Sequence, residues 1–110
     1  MKQPLPHHSL ISVKIRPATV DDVSALVDFN QGIARETEDR ELDADTLRRG
    51  IRRFIEGDGH GFYTVAEDDG LIVGSLMITY EWSDWRDGVI WWIQSVYVRA
   101  SHCLLYTSDA

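Results

Sequence analysis

The sequence predicts one α/β domain with the element order β-α-α-β-β-β, in which two helices pack on a mostly antiparallel sheet. Three observations lead to this prediction. Near the N-terminus, a short run of alternating apolar and polar residues is followed by two segments with apolar residues at three- and four-residue spacing. Three apolar runs come next, and a turn alone separates the first two, which is typical of an antiparallel hairpin. The last run is apolar at almost every position.

The first strand is predicted over residues 12–16, because "SVKIR" alternates and Pro17 stops it. Thr19 follows as a helix cap, and Asp21 and Asp22 supply the negative charge that the first turn favours. The first helix is therefore predicted to run from Val20 to Ala34. Its buried face consists of Val23, Leu26, Val27, Asn30 and Ala34.

The charged stretch "RETEDRELD" is predicted to connect the two helices. Asp43 is the expected cap of the second helix, with Leu42 and Leu47 placed as a hydrophobic staple around it. Gly57 is the expected stop. The buried stripe of this helix consists of Leu47, Ile51, Phe54 and Ile55.

The second half of the chain is predicted to form three strands. "GFYTVAE" and "LIVGSLMITYE" flank the turn "DDG" at 68–70, and Gly74 indicates a bulge in the second of them. "WSDWRDG" is predicted to be a longer loop. "VIWWIQSVYV", residues 89–98, is apolar on both faces, which is typical of a central, covered strand.

Composition limits the classes of function. With 44% hydrophobic and 26% charged residues in 110, the chain is predicted to be a globular protein of one domain. A net charge of −7 argues against nucleic-acid binding and favours small molecules. No apolar run is long enough to span a membrane and no export signal precedes the first strand, so a cytoplasmic location is expected. Cys103 is the single cysteine, and no spacing of histidines suits a metal.

Three quoted segments carry a resemblance to a known family. They are "IRPATVDDVSALVDFN", "GFYTVAEDDGLIVGSLMITYEW" and "WWIQSVYVRAS". In this order and spacing, they resemble the amino-terminal half of the GCN5-related N-acetyltransferase superfamily over about residues 13 to 100. The resemblance implies transfer of an acetyl group from acetyl-CoA to an amine of a small molecule or peptide. It also implies a homodimer of the full-length enzyme as one arrangement.

The resemblance further implies that the fourth strand binds acetyl-CoA through its main chain. Ser95, Val96, Tyr97 and Val98 would receive the pantetheine arm like an added strand, with one N–H at the thioester oxygen. On pattern alone, the alternative that these residues form only core strand is favoured. The family's glycine-rich pyrophosphate turn is missing, because no glycine follows Gly88.

The family's chemistry needs a base for the acceptor ammonium. Glu81 is the best-placed carboxylate and Gln94 is a candidate for holding a water, although many relatives carry the base on the fourth strand. For acceptor binding, the resemblance points to the loop between the helices and the loop after the third strand. These hold Glu36, Glu38, Trp82 and Trp85. Each assignment has a structural alternative. Glu81 would then be a solvated carboxylate at the end of a strand, and Glu36 and Glu38 part of a solvated charge cluster. Trp82 and Trp85 would cover the hairpin without contacting a substrate.

Three segments are predicted along the chain: a flexible tail over 1–11, the N-terminal part of an acetyltransferase domain over 12–100, and a non-native tail over 101–110. We expect a truncated and inactive piece of an enzyme whose fourth strand is an unprotected edge. The alternative is a non-catalytic α/β module that binds a small ligand or a partner.

Overall fold

The computed structural model describes residues 13–57 and 59–102. Within them, four antiparallel strands lie side by side in chain order, and two helices cover one face of the sheet. The predicted order of elements is confirmed. The elements are β1 Val13–Pro17, α1 Val23–Glu38, α2 Ala44–Glu56, β2 Gly61–Asp68, β3 Leu71–Ser83 and β4 Gly88–Val98.

The core lies between the helices and one face of the sheet. Strand side chains alternate between faces, so Tyr63 and Val65 of β2 point towards the helices while their neighbours point away. Leu26 and Phe29 of α1 fill this layer and are almost fully buried. The ring of Phe54 on α2 meets Tyr63 edge-on at 5.7 Å between centroids, which joins the second helix to the same core.

The corner between β1 and α1 is fixed by a buried carboxylate. Asp22 is 4% exposed, and its two oxygens accept hydrogen bonds from the Arg16 guanidinium at 2.8 and 2.9 Å. The backbone N–H of Thr19 donates to Asp22 as well, and Thr19 in turn caps a single 3₁₀ turn, Val20–Asp22, ahead of α1. The third guanidinium nitrogen of Arg16, Nε, donates to Glu67 at 2.8 Å. The capping role predicted for Thr19 is confirmed.

The first helix is longer than predicted. It continues through Arg35–Glu38, four exposed residues assigned to the connection, and ends where Asp39 takes a left-handed conformation with φ 51°. The prediction stopped at the last apolar residue, Ala34. Arg and Glu are good helix formers and extend the helix past its buried face without needing core contacts.

The second helix agrees with the prediction at both ends. The Asp43 side chain accepts the backbone N–H of Thr46 at 2.9 Å, and the helix stops at Gly57. Ile51 is buried, and the rest of the predicted stripe packs against the core. These residues are Leu47, Phe54 and Ile55.

Two bulges interrupt the sheet. The predicted turn at 68–70 is present, with positive φ at both Asp69 and Gly70. In β3, Gly74 pairs with Ala66 and Ile72 with Glu67, so the extra residue is Val73, one position before the predicted Gly74. The second bulge is in β4. Met77 pairs with Ser95 and Ile78 with Ile93, which leaves Gln94 as the extra residue.

The β3–β4 hairpin projects beyond the other strands. β3 extends to Ser83, which pairs with Gly88 across a four-residue turn, so Trp82 and Ser83 belong to a strand and not to the predicted loop. Beyond β4, the Arg99 side chain donates to the carbonyl of Ile72 in β3 at 2.7 Å.

The fourth strand is an edge strand in the described sheet, as predicted from its place in the chain. The prediction of a covered strand is wrong for these residues, because large side chains of β4 are half to two-thirds exposed. These are Val89, Trp91, Trp92, Ile93 and Val96. The apolar pattern indicated burial, yet the helices cover only the Tyr97 end of the strand.

The predicted tail over 1–11 and most of the one over 101–110, including Cys103, lie outside the described residues. Ser101 and His102 are described, and the His102 ring lies 2.8 Å from an oxygen of Asp68. Among the described helices, none is long and apolar enough to cross a membrane.

Candidate active site

Four side chains meet on the helix-facing side of the β3–β4 hairpin, beyond the buried core. Thr79 pairs with Trp92 in the ladder, and Glu81 lies two residues further along β3 on the same face. The indole N–H of Trp92 donates to the Glu81 carboxylate at 2.5 Å. The Gln94 amide donates to the Thr79 hydroxyl at 2.7 Å. The predicted catalytic pair, Glu81 and Gln94, thus lies on one face of adjacent strands.

Ordinary alternation along β4 brings Gln94 to the same face as Trp92, two residues before it. A residue inserted into one strand breaks the alternation of side chains, and Gln94 is the residue left unpaired opposite Met77 and Ile78. Its amide nitrogen is bonded to Thr79, so its carbonyl oxygen is the group that remains to accept a hydrogen bond from a water or an ammonium. The bulge also divides β4 into residues 88–93 and residues 95–98.

The direction of the main-chain groups along β4 follows from two hydrogen bonds. The Arg99 N–H donates to Val73 of β3 at 2.8 Å, so the N–H of Tyr97 also faces β3 and that of Val96 faces the open edge. On the far side of β3, the Tyr80 N–H donates to His60 at 3.0 Å.

The same alternation fixes the other segment of β4. Because Tyr80 faces β2, its neighbours on β3, Thr79 and Glu81, face β4 and bond their partners Trp92 and Ile90. The residues between and beside these partners therefore direct their N–H and C=O groups to the open edge. They are Val89, Trp91 and Ile93.

The predicted cofactor segment is anchored by one residue. The Tyr97 ring stacks on Phe29 at 4.5 Å between centroids, and a Cβ at Gly32 would lie 3.4 Å from the same ring, so α1 packs closely over it. The Arg99 guanidinium lies 5.1 Å from the centre of the Phe29 ring on α1. Val96 is 57% exposed, and its main chain is held in place by its neighbours. Ser95 and Val98 are half-buried on opposite faces.

The residues predicted to bind the acceptor do not share one surface. Glu36 and Glu38 lie in the exposed last turn of α1, and Glu38 pairs with Arg40 at 3.4 Å. Trp82 lies two residues after Tyr80 in β3, so the two side chains share the face of the sheet opposite Glu81. Trp85 is 96% exposed in the hairpin turn. Their roles in binding stay predictions.

The opposite face of the sheet holds an apolar groove of about 400 Å³. The carboxylate and amide of the candidate site lie on the other face, so the groove is not where the predicted chemistry takes place. It is lined in part by Ile15, Ala66, Leu76, Val96, Val98 and His102. In residues 13–57 and 59–102, no cluster of acidic, histidine or cysteine side chains suits a metal ion.

Two site residues were missed by the sequence interpretation. Trp92 and Thr79 hold Glu81 and Gln94 in place, and both sit on strands already identified. Their position beside the candidate residues depends on the register of β3 with β4, which the turn fixes as far as Ile93 and the bulge shifts by one residue beyond it. Uninterrupted counting from the turn places Ile93 opposite Ile78, as observed, but would put Gln94, and not Ser95, opposite Met77.

Comparison with solved structures identifies the fold. A protein described as a possible acetyltransferase from Clostridium difficile 630 superimposes with a TM-score of 0.78 and 39% identity over 88% of this chain. The chain has the fold of the GCN5-related N-acetyltransferases. A GNAT family acetyltransferase from Staphylococcus aureus subsp. aureus gives a TM-score of 0.62 at 14% identity, over 89% of this chain and 76% of that one. The resemblance found in the sequence is confirmed.

A third structure shares the fold and differs in length. The ribosomal-protein-alanine N-acetyltransferase from Brucella melitensis biovar Abortus 2308 gives a TM-score of 0.64 at 13% identity, over 83% of this chain. This chain spans 66% of the Clostridium protein and 59% of the Brucella protein. Protein-family models give no match to the chain, and curated proteins give none.

Proposed function

We propose that this GCN5-related fold serves acyl transfer to an amine, with the hairpin face of Glu81 and Gln94 as the acceptor side and the edge of β4 as the donor side. The observation that carries the proposal is the placement of these two features at one bulge. Val96, whose main chain faces the open edge, lies two residues from Gln94, which shares a face with Glu81. A reactive carbonyl held at this edge is therefore close to the polar side chains that the reaction needs.

Acetyl-CoA would supply an acetyl thioester with a pantetheine arm rich in amide groups. The residues present suit that arm, because the N–H and C=O of Val96 lie on the same edge and pair with extended amides as a further strand does. Tyr97, stacked on Phe29 in the core, holds this part of β4 against α1. The sequence offers no glycine after Gly88 for a close phosphate contact, so we propose weak binding and low activity for this chain.

Glu81 is the proposed general base. It would remove a proton from the acceptor ammonium, and the Trp92 indole that donates to it would fix the carboxylate in one orientation. The Gln94 carbonyl would hold the ammonium or a water that relays the proton. The acceptor is a primary or secondary amine of a small molecule or a peptide. Glu36, Glu38, Trp82 and Trp85 remain candidates for contacts to parts of it away from the amine.

The test is a titration of the isotope-labelled chain with pantetheine and with CoA, followed by amide NMR. We expect shifts at the amides of residues 95–98, with similar millimolar affinity for both ligands. The phosphates of CoA would otherwise add charge-assisted hydrogen bonds, each contributing about 1.5–3 kcal/mol.

Two valines provide a matched control. Val96 and Val89 are 57% and 53% exposed, lie on the same face and both direct their N–H to the edge. Proline at an edge position removes only the outward N–H. Val96→Pro should abolish pantetheine binding, and Val89→Pro should leave it intact. Equal binding by both variants, or no shift at residues 95–98 in the parent chain, would contradict the proposed donor site.

A further inference from the structure

The helix-facing side of the β3–β4 hairpin combines one carboxylate with an apolar surface. Ile90 pairs with Glu81 and Trp92 with Thr79, so both apolar side chains lie on the face that carries Glu81. Trp92 is 50% exposed and Ile90 is half-buried. Glu81 is the only charged side chain of β3 and β4, two strands that the structure describes in full. This face therefore presents a single negative charge beside an indole ring.

The hydrogen bond between Trp92 and Glu81 fixes how the indole is presented. The indole N–H lies in the plane of the ring, so a carboxylate that accepts it at 2.5 Å lies at the edge of the ring and does not occupy its faces. The face of an indole attracts a cation that lies within about 6 Å of the ring centre. A cation on the face of Trp92 would therefore also be close to the Glu81 carboxylate.

Gln94 supplies a second oxygen on the same side of the hairpin. Its amide nitrogen donates to the Thr79 hydroxyl at 2.7 Å, which leaves its carbonyl oxygen to accept a hydrogen bond from an ammonium group. Along the hairpin, Glu81 lies level with Ile90, and Gln94 follows Trp92 by two residues. The indole ring thus lies between the carboxylate and the amide oxygen.

We propose that Trp92 binds the acceptor, and that the acceptor is an amine with one positive charge on an apolar alkyl or aryl group. The inference rests on the proposed function, whose acceptor side it specifies. The ammonium would lie against the indole face between Glu81 and Gln94. The apolar group would cover the rest of the ring and Ile90. The tryptophan predicted from the sequence, Trp82, lies on the opposite face and is not part of this contact.

The charges of the hairpin select among the classes of amine. An α-amino acid carries a carboxylate close to its ammonium, and Glu81 would repel that carboxylate. A second positive charge, as in a polyamine, would find no second carboxylate on β3 or β4. A neutral alcohol of the same shape would lose its attraction to both the ring and the carboxylate.

NMR titration of the labelled, unmodified chain without an acyl donor tests the class of acceptor. Near neutral pH, phenethylamine carries one positive charge, phenylalanine adds a carboxylate and phenethyl alcohol has no charge. Phenethylamine should bind at least about five times more tightly than either of the others, a difference of about 1 kcal/mol. It should shift the indole N–H of Trp92 and the side-chain amide of Gln94, and leave the indole N–H of Trp91 in place.

Substitutions at two neighbouring tryptophans test the role of the ring. Trp92→Leu should weaken phenethylamine binding about two- to fivefold, the effect of losing one exposed cation–π contact. Trp92→Phe keeps a ring face without the N–H and should retain more of the affinity. Trp91→Leu is the control and should leave the affinity unchanged. Trp91 is 62% exposed and lies on the other face of the sheet, in contact with Phe62 and Tyr80.

Two results would overturn the proposal. Equal affinity for phenylalanine and phenethylamine would show that the charge of Glu81 does not select the acceptor. Equal affinity of the Trp92→Leu and Trp91→Leu variants for phenethylamine would place the amine elsewhere. Because these titrations contain no acyl donor, they do not depend on pantetheine binding at residues 95–98. Failure of the donor site is therefore distinguishable from failure of this inference.

Discussion

At the scale of single residues, Asp22 shows how a buried charge fixes the start of a helix. Three hydrogen bonds, two from Arg16 and one from the Thr19 backbone, satisfy its carboxylate. The guanidinium lowers the pKa of Asp22 below its ordinary value of 3.8, and the carboxylate raises that of Arg16. Burial favours the neutral acid and so raises the pKa of Asp22, but the hydrogen bonds that lower it have the larger effect.

A pH dependence of stability follows from this pair. Because the pKa of Asp22 is lower in the folded state, its contribution is complete above about pH 4 and is lost as the pH falls through the folded value. Asp22→Asn should remove this acid sensitivity and lower the free energy of unfolding at pH 7 by about 3 kcal/mol. This is the low end for a broken buried pair, since Arg16 keeps Glu67. Urea unfolding across this pH range measures both effects. The exposed neighbour serves as the control, and Asp21→Asn should change stability by less than about 0.5 kcal/mol.

Glu81 gives a prediction about activity. Glu81→Gln should slow single-turnover acetyl transfer from concentrated acetyl-CoA to a primary amine most strongly near neutral pH. The deficit should shrink from about pH 7 to about pH 10, because an amine with a pKa near that of lysine then arrives increasingly deprotonated. Thiol release in the parent chain and the variant, followed as a function of pH, provides the measurement. A constant ratio of the two rates would assign the proton transfer to a water held by Gln94.

At the scale of elements, glycines decide where strands and helices can meet. Gly61 opens β2 with φ +150°, and a Cβ there would lie 1.9 Å from the carbonyl oxygen of Ile78. Gly50 is exposed on α2, and its Cβ would meet nothing within 4 Å. The same substitution therefore has opposite expected effects at these two positions.

Gly61→Ala should lower the free energy of unfolding by at least about 3 kcal/mol, through backbone strain and separation of β2 from β3. Gly50→Ala should raise it by about 0.5–1 kcal/mol, because alanine is the better helix former. Thermal and urea unfolding of both variants provide the measurement. Stabilisation by both substitutions would show that the start of β2 does not lie against β3 as described.

At the scale of the whole molecule, net charge and exposed apolar surface have opposite effects on self-association. Each chain has a net charge of −7, so two chains repel at a distance, whereas the uncharged β4 edges attract on contact. Raising the salt concentration from about 0.01 M to about 1 M shortens the Debye length from about 30 Å to about 3 Å. Self-association of the chain should therefore strengthen as the salt concentration rises. Sedimentation at several salt concentrations tests this, and weaker association at high salt would indicate a contact between opposite charges.

The sequence by itself determined the element order, the helix caps at Thr19 and Asp43, the turn at 68–70 and the family resemblance. These depend on local chemistry: a side chain that accepts a nearby N–H, or a residue that tolerates positive φ. Only the tertiary structure decided the register of β3 with β4, where the bulge at Gln94 shifts residues 95–98 by one position relative to β3. It also decided that the helices cover only the Tyr97 end of this apolar strand, because apolarity records what a strand can bury and not what covers it.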